Sequence, residues 1–329
     1  MKSLAGVGVM AIALATAAPV GWAAPAIQAP AWRVAATHAV GHRPTDLAFD
    51  AAGYAWVANF GSGTVSKLDR EGRLVGTYDA GPKPRKLAID GGGYVWVANW
   101  GANTVTRLAP DGRLLDRFPV GELPNALAVD TEGQLWVGNM GSHSVMRLSP
   151  QGEALGSFRV ERPSGIAIDP SGHVWVSSLT AAKGNMVRFD RAARPAGTFS
   201  VPPMPERVAA DARGNVWVSH MVGPAARKLT VLASDGARQV GLWTGFKNQA
   251  VAVDGEGLGW VANTEYVIDG EKGYLASNPL TNTVTRLTPG GRILGTYSAG
   301  ADAWAVKMAP WGDVWVVNHL GDSVTRLTP

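Results

Sequence analysis

The sequence predicts an all-β protein, a seven-bladed β-propeller of four-stranded blades. Three observations carry this reading. A tryptophan recurs at Trp56, Trp96, Trp136, Trp175, Trp217, Trp260 and Trp315, at separations of 40, 40, 39, 42, 43 and 55 residues. Around each lies the same succession of short apolar runs and turns, with 41 glycines and 21 prolines in the chain. A repeat of roughly forty residues that alternates strand and turn is the size of one propeller blade. The seventh unit also ends one strand short, and a matching strand stands near the start of the chain.

The second unit shows how a blade is written. Its strands are expected at Lys86 to Asp90, Tyr94 to Asn99, Thr104 to Leu108 and Arg113 to Phe118. The connections GGG, WGAN and APDG have hairpin-turn composition. Side chains alternate across a strand, so Tyr94, Trp96 and Ala98 face one way and Val95, Val97 and Asn99 the other. One face of every blade can then pack its tryptophan on the neighbouring blade. The seventh unit stops at Pro329 after VTRLTP, without the fourth strand that Arg292 to Gly300 supplies in the sixth. Arg33 to Gly41 aligns on Arg292 to Gly300 without a gap, so this strand is expected to complete the last blade. Closing the ring removes open sheet edges. That matters in a chain with no cysteine.

Loop lengths break the symmetry. The fourth and fifth units carry longer connections between second and third strands, and the sixth carries an insertion, Thr264 to Leu280, holding Glu265, Asp269, Glu271 and Lys272. The propeller is expected to span 32–329 as a single domain. Residues 1–23 read as a signal peptide, with basic Lys2, an apolar run from Leu4 to Ala18, and small residues at Gly21 and Ala23. A Pro/Ala leader follows over 24–31. A periplasmic or secreted location is therefore expected.

The net charge is +4, but much of the basic charge recurs once per repeat, at Lys67, Arg107, Arg147, Arg188, Arg286 and Arg326. Charge spread evenly around a ring is structural rather than a nucleic-acid stripe. Phosphate-loop, HExxH, GxSxG and calcium-loop patterns do not occur. No stretch after the signal peptide is long and apolar enough for a membrane helix.

Two rings of residues should lie on one face. The first follows the residue opening each blade: Thr45, Arg85, Asn125, Ser164, Glu206, Gln249 and Trp304. The second lies three residues after each tryptophan: Asn59, Asn99, Asn139, Ser178, His220, Asn263 and Asn318. Five asparagines in the second ring point to a turn-fixing role. The repeated Asp50, Asp90, Asp130, Asp169, Asp211 and Asp254 read likewise as turn-openers, with Ala309 in the last blade. The first ring differs in every blade, as a ligand site built on a repeat would. Blade five places Glu206 beside Arg207 and puts His220 on the same face, and the last blade adds His319. An acid beside a histidine suits general-base or metal chemistry, so Glu206, His220 and His319 are the candidate catalytic residues. The alternative is that Glu206 and Arg207 form a solvated pair and His220 stands in for asparagine.

The unit P-x-x-[LI]-A-x-D-x-x-G-x-x-W-V-x-N…T-V-T-R-L-x-P-x-G-R resembles the repeats of streptogramin B lyases, and more loosely NHL-repeat proteins, over Val40 to Pro329. The resemblance implies a seven-bladed ring and, in those lyases, Mg2+-assisted opening of a cyclic depsipeptide by elimination. Their catalytic histidine follows the opening proline of the penultimate blade, where this chain has Gln249. Their Glu-Pro-His run opens the last blade, where this chain has Asp302-Ala303-Trp304, and beyond Trp315 it has Asn318 and His319. Gluconolactonase-like propellers, which hold a divalent cation at the ring centre, are a looser likeness through Glu206, Asn125 and Asp46. The expectation is an exported binding or scaffolding propeller, engaging a small-molecule, peptide, glycan or protein ligand on the face lined by Asp46, Arg85, Asn125, Ser164, Arg207, Gln249 and Trp304. The competing expectation is a lyase-like or metal-dependent hydrolytic enzyme, with Mg2+ or Ca2+ as cofactor. A monomer without a nucleic-acid partner is expected in either case.

Overall fold

The computed structural model describes residues 32–180, 184–221, 228–236, 239–243, 248–264, 266–268, 275–277 and 282–329. The signal-peptide and leader segments lie outside the described residues, as does most of the blade-six insertion. Within that insertion Tyr266–Ile268 and Leu275–Ser277 pair as a short antiparallel ribbon.

Seven four-stranded antiparallel sheets form the ring. Their inner strands are Pro44–Phe49, Pro84–Ile89, Pro124–Val129, Pro163–Ile168, Pro205–Ala210, Asn248–Val253 and Ala303–Met308. Each packs against the next around the axis, and the seventh returns to the first. The closing strand is Arg33–Ala39, which pairs antiparallel with the C-terminal Ser323–Thr328, with Thr37 opposite Thr325. The last blade is therefore built from both ends of the propeller, as the alignment of Arg33 to Gly41 predicts.

The tryptophans do the packing expected of them. All seven are fully buried or nearly so. Trp56 lies among Leu87, Val95 and Val97 of the next blade, and Trp96 among Leu127, Leu135 and Val137. The pattern runs on until Trp315 lies among Leu47, Val57 and Leu68 of blade one. Burying an indole removes about 150–250 Å² from water, roughly 4–6 kcal/mol of transfer free energy before entropy is charged. Seven such contacts, one per blade boundary, hold the ring shut without disulfides.

Six of the seven tryptophans are also fixed by the repeated aspartate. The indole N–H donates to the carboxylate at 2.8 Å in Trp56–Asp50 and Trp96–Asp90, and at 2.9–3.3 Å in the four blades that follow. The other oxygen caps the hairpin turn, as when Asp50 Oδ1 accepts Tyr54 N–H. The recurring basic residue lies over the outer side of the ring system, with Arg107 at 5.0 Å from the Trp96 centroid and Arg286 at 5.3 Å from Trp260. Evenly spread basic charge is thus structural, through cation–π contact.

Candidate functional site at the ring axis

Every inner strand begins with a register shift. Pro84 pairs with Asn99, but the next pair is Lys86 with Ala98, so Arg85 is an extra residue. The same shift follows Pro44, Pro124, Pro163, Pro205, Asn248 and Ala303. A bulge re-aims the side chain it carries, and the first ring sits on these bulges. The residue before the opening position has positive φ in six blades, at Arg43, Lys83, Leu123, Arg162, Met204 and Asp302. Its carbonyl accepts an N–H from the loop after the second strand, as in Trp100 N to Lys83 O and His319 N to Asp302 O. These bonds hold together the two loops that form the face.

The first ring splits into two groups. Thr45 donates to the carbonyls of Pro84 and Arg85, each at 3.2 Å, and Ser164 donates to that of Pro205 at 2.9 Å. Both are buried and join one blade to the next. Arg85, Asn125 and Trp304 instead meet at the mouth of the axis. Arg85 Nε donates to Asn125 Oδ1, and its guanidinium lies 4.9 Å from the Trp100 centroid and 5.8 Å from Trp304. Trp304 in turn stacks on His319 at 4.8 Å. Gln249 is buried.

Below the mouth the axis narrows to a cavity of about 50 Å³ lined from all seven blades. Asp46, Lys86 and Arg207 occupy equivalent places two residues after the opening position, where the other blades have Ala126, Gly165, Ala250 and Ala305. Gly165 is small for a reason: a Cβ there would fall 2.3 Å from Glu206 O. Two residues further along, six blades have alanine, and blade seven has Lys307. Lys86 Nζ lies 3.5 Å from Asp46 Oδ1, and Asp46 Oδ2 accepts Leu87 N–H at 3.1 Å. Arg207 Nε lies 3.8 Å from Glu206 Oε1, too far for a hydrogen bond.

Cations dominate this column. Burial alone would raise the Asp46 carboxyl, but Lys86, Lys307 and Arg207 hold it below its ordinary range. Burial and then the Arg207 charge push Lys86 well down, with Asp46 opposing. Arg85 is pushed down to about 10, by burial and Arg207, against the pull of Glu206 and Asp46. Lys86 and Lys307 escape the sequence reading. An in-register comparison of the third and fifth inner-strand positions would have found them.

His220 and Glu206 do not form a dyad. His220 is fully buried, Nδ1 lies 3.2 Å from Pro203 O and Nε2 2.9 Å from Thr230 Oγ1. A neutral ring that donates from Nδ1 and accepts at Nε2 fits both, and burial lowers its pKa. Asparagines in other blades make the same link, as in Asn99 Nδ2 to Thr106 Oγ1 at 2.7 Å and Asn318 Nδ2 to Thr325 Oγ1 at 2.9 Å. The second ring therefore ties the second strand to hydroxyls of the third, and His220 is its long version. His319 faces the mouth, with Nδ1 3.0 Å from Pro44 O. Burial lowers its pKa, with the Pro44 carbonyl and Asp302 opposing.

The axial residues do not fit Mg2+ or Ca2+. Both ions want several carboxylate or carbonyl oxygens. Here Asp46 and Glu206 are each close to a cation, and Arg85, Lys86, Arg207 and Lys307 add further positive charge. Among the described residues no three His, Asp or Glu side chains cluster in a way that would hold a metal.

No protein-family model matches the chain, and no curated protein matches it by sequence. Solved structures do match in fold. A streptogramin B lyase aligns with a TM-score of 0.71 at 16% identity, covering 88% of this chain and 94% of the lyase. Virginiamycin B lyase from Staphylococcus aureus aligns at 0.73 and 15%, covering 91% and 100%. A Kuenenia stuttgartiensis hydrazine synthase chain aligns at 0.71 and 14%, covering 88% and 94%. At these identities the likeness is one of fold, and it bears out the propeller that the repeat resembles. Among the described residues no helix is long and apolar enough to cross a membrane.

Proposed function

We propose that this chain is an exported binding propeller that receives the acidic part of a peptide, glycan or protein ligand at the axial mouth. The observation that carries the reading is the Arg85 guanidinium, held between Trp100 and Trp304 above a cationic column. A guanidinium flanked by aromatic rings presents its edge to carboxylate or phosphate, and the rings supply apolar contact. His220, with both ring nitrogens engaged, offers no base to an adjoining substrate. Export rests on the basic, apolar and small-residue succession at the start of the sequence. The test is an array of acidic, neutral and basic peptides and glycans probed with the protein and with Arg85→Ala and Trp304→Ala. Acid-selective binding lost in both variants is expected. Binding indifferent to ligand charge and to both substitutions would sink the proposal.

A lyase activity is the second reading, favoured by the shared fold with streptogramin B lyases. A catalytically inactive variant of the Staphylococcus aureus enzyme is known with quinupristin. Incubation of this protein with quinupristin and Mg2+, followed by mass spectrometry, tests it directly. Ring opening abolished by His319→Ala would replace the binding reading.

A further inference from the structure

The axial cavity holds a buried cation that the proposed ligand site does not use. Arg207 is 6% exposed, yet none of its three guanidinium nitrogens has a hydrogen-bond partner. A buried guanidinium without partners is costly, and native interiors rarely leave one so. It lines the cavity together with Lys86 and Lys307, and Asp46 is the carboxylate among the lining residues. Asp46 accepts Leu87 N–H at Oδ2, and its Oδ1 makes no hydrogen bond but has Lys86 Nζ at 3.5 Å. The nearest carboxylate to Arg207, Glu206, is 3.8 Å away and keeps an oxygen without a hydrogen bond. Positive charge therefore exceeds negative charge around the cavity.

We propose that the axial cavity is a binding site for a small oxyanion, gripped by the Arg207 guanidinium and flanked by Lys86 and Lys307. A planar guanidinium binds carboxylate, sulfate or phosphate oxygens in pairs, whereas an ammonium contributes point charge. About 50 Å³ is room for one such group or a few waters. The repeat shows that these side chains are not there to build the fold. Ala126, Ala250 and Ala305 occupy the place of Arg207 and Lys86 in three other blades, and six blades have alanine where Lys307 stands. Three long cations at positions filled elsewhere by the smallest residues, all facing one axis, are an addition to the scaffold. The oxyanion comes either free from solution or as the carboxylate of a larger acid. This site does not depend on what docks at the mouth.

The test is to soak crystals of the full propeller in selenate and, separately, 4-bromobenzoate, and to measure titration calorimetry with each at constant ionic strength. An anomalous peak beside Arg207 and Lys86, with saturable binding, is expected for at least one anion. A selenate peak alone marks a site for free inorganic oxyanions, and a 4-bromobenzoate peak alone a site for the end of a carboxylic acid. Arg207→Ala is expected to weaken binding at least tenfold and Lys307→Ala severalfold. Arg194→Ala, on an outer hairpin where it pairs with Asp190, should leave the affinity for these small anions within about twofold. The wild-type soak needs no variant to fold, and circular dichroism of the alanine variants checks that they retain the propeller. No anomalous peak at the axis, or an affinity untouched by Arg207→Ala in a folded variant, would overturn the proposal and leave the cavity as a water-filled channel.

Discussion

Blade seven lacks the aspartate that anchors the tryptophan in the other six, so replacing Ala309 by aspartate should stabilise the protein. Ala309 is buried, and Trp315 Nε1 is buried without a hydrogen-bond partner. The turn is already shaped for the missing side chain. Ala309 N donates to Asp313 O at 2.8 Å and Gly312 N to Ala309 O at 2.9 Å, matching Asp50 N to Tyr54 O and Gly53 N to Asp50 O at 3.0 Å each. A hydrogen bond to a charged group contributes about 1.5–3 kcal/mol, and the orphaned indole N–H now costs a similar amount. Asp313 would repel the new carboxylate. It is itself paired with Arg326 at 2.7 Å, which limits this offset to the order of 1 kcal/mol. The net expectation for Ala309→Asp is about 1–2 kcal/mol of added stability, read as a Tm higher by roughly 2–4 °C in calorimetry. The Trp315 indole proton should also exchange more slowly by NMR. The mirror substitution, Asp130→Ala, deprives Trp136 Nε1, Glu132 N and Gln134 N of their acceptor and should destabilise by about 2–4 kcal/mol. If Ala309→Asp lowers the Tm or leaves indole exchange unchanged, the anchoring argument fails.

His220→Asn should fold normally and unfold within about 1 kcal/mol of wild type in urea, because asparagine makes the equivalent link in four blades; a loss of ligand binding with intact stability would restore His220 to the functional set. Removing residues 32–39 should lower the Tm by more than 10 °C, since it exposes the edge of Ser323–Thr328 and strips Trp32 from its edge-on contact with Trp260 at 4.5 Å; an unchanged Tm would show that closure contributes nothing. Lys86 faces Asp46, Arg85, Arg207 and Lys307 around the axis, and its folded pKa lies well below its ordinary 10.5. Between those two values the unfolded chain binds a proton that the folded chain does not, so stability should rise with pH there by up to about 1.4 kcal/mol per unit. Urea titrations over that alkaline range should show the slope, and Lys86→Met should flatten it; identical slopes would count against a Lys86 whose pKa is lowered at the axis.

The blades, their number and the ring closure were all legible before any coordinates, from the tryptophan spacing and the gapless alignment of Arg33 to Gly41 on Arg292 to Gly300. Strand ends moved by a residue or two, because Pro84 opens the inner strand by pairing with Asn99 ahead of Lys86. The site was legible in part. Arg85, Asn125, Trp304 and His319 do converge at the mouth. Thr45 and Ser164 turned out to join blades, and His220 to replace an asparagine. Lys86 and Lys307 were hidden among positions that look like ordinary strand interior.

What the sequence by itself determined is everything that depends on local pattern repeated many times. Alternation sets which face of a strand is apolar, glycines and aspartates set the hairpins, and one buried tryptophan per unit sets how blades stack. What only the tertiary structure decided is which side chains meet at the axis. Asp46, Lys86, Arg207 and Lys307 belong to four different blades and approach one another only because seven strands converge. Asp46 and Arg207 are buried there while Lys307 reaches solvent, and their charges act on one another across the axis, so pKa values and unmet hydrogen bonds there are properties of the closed ring.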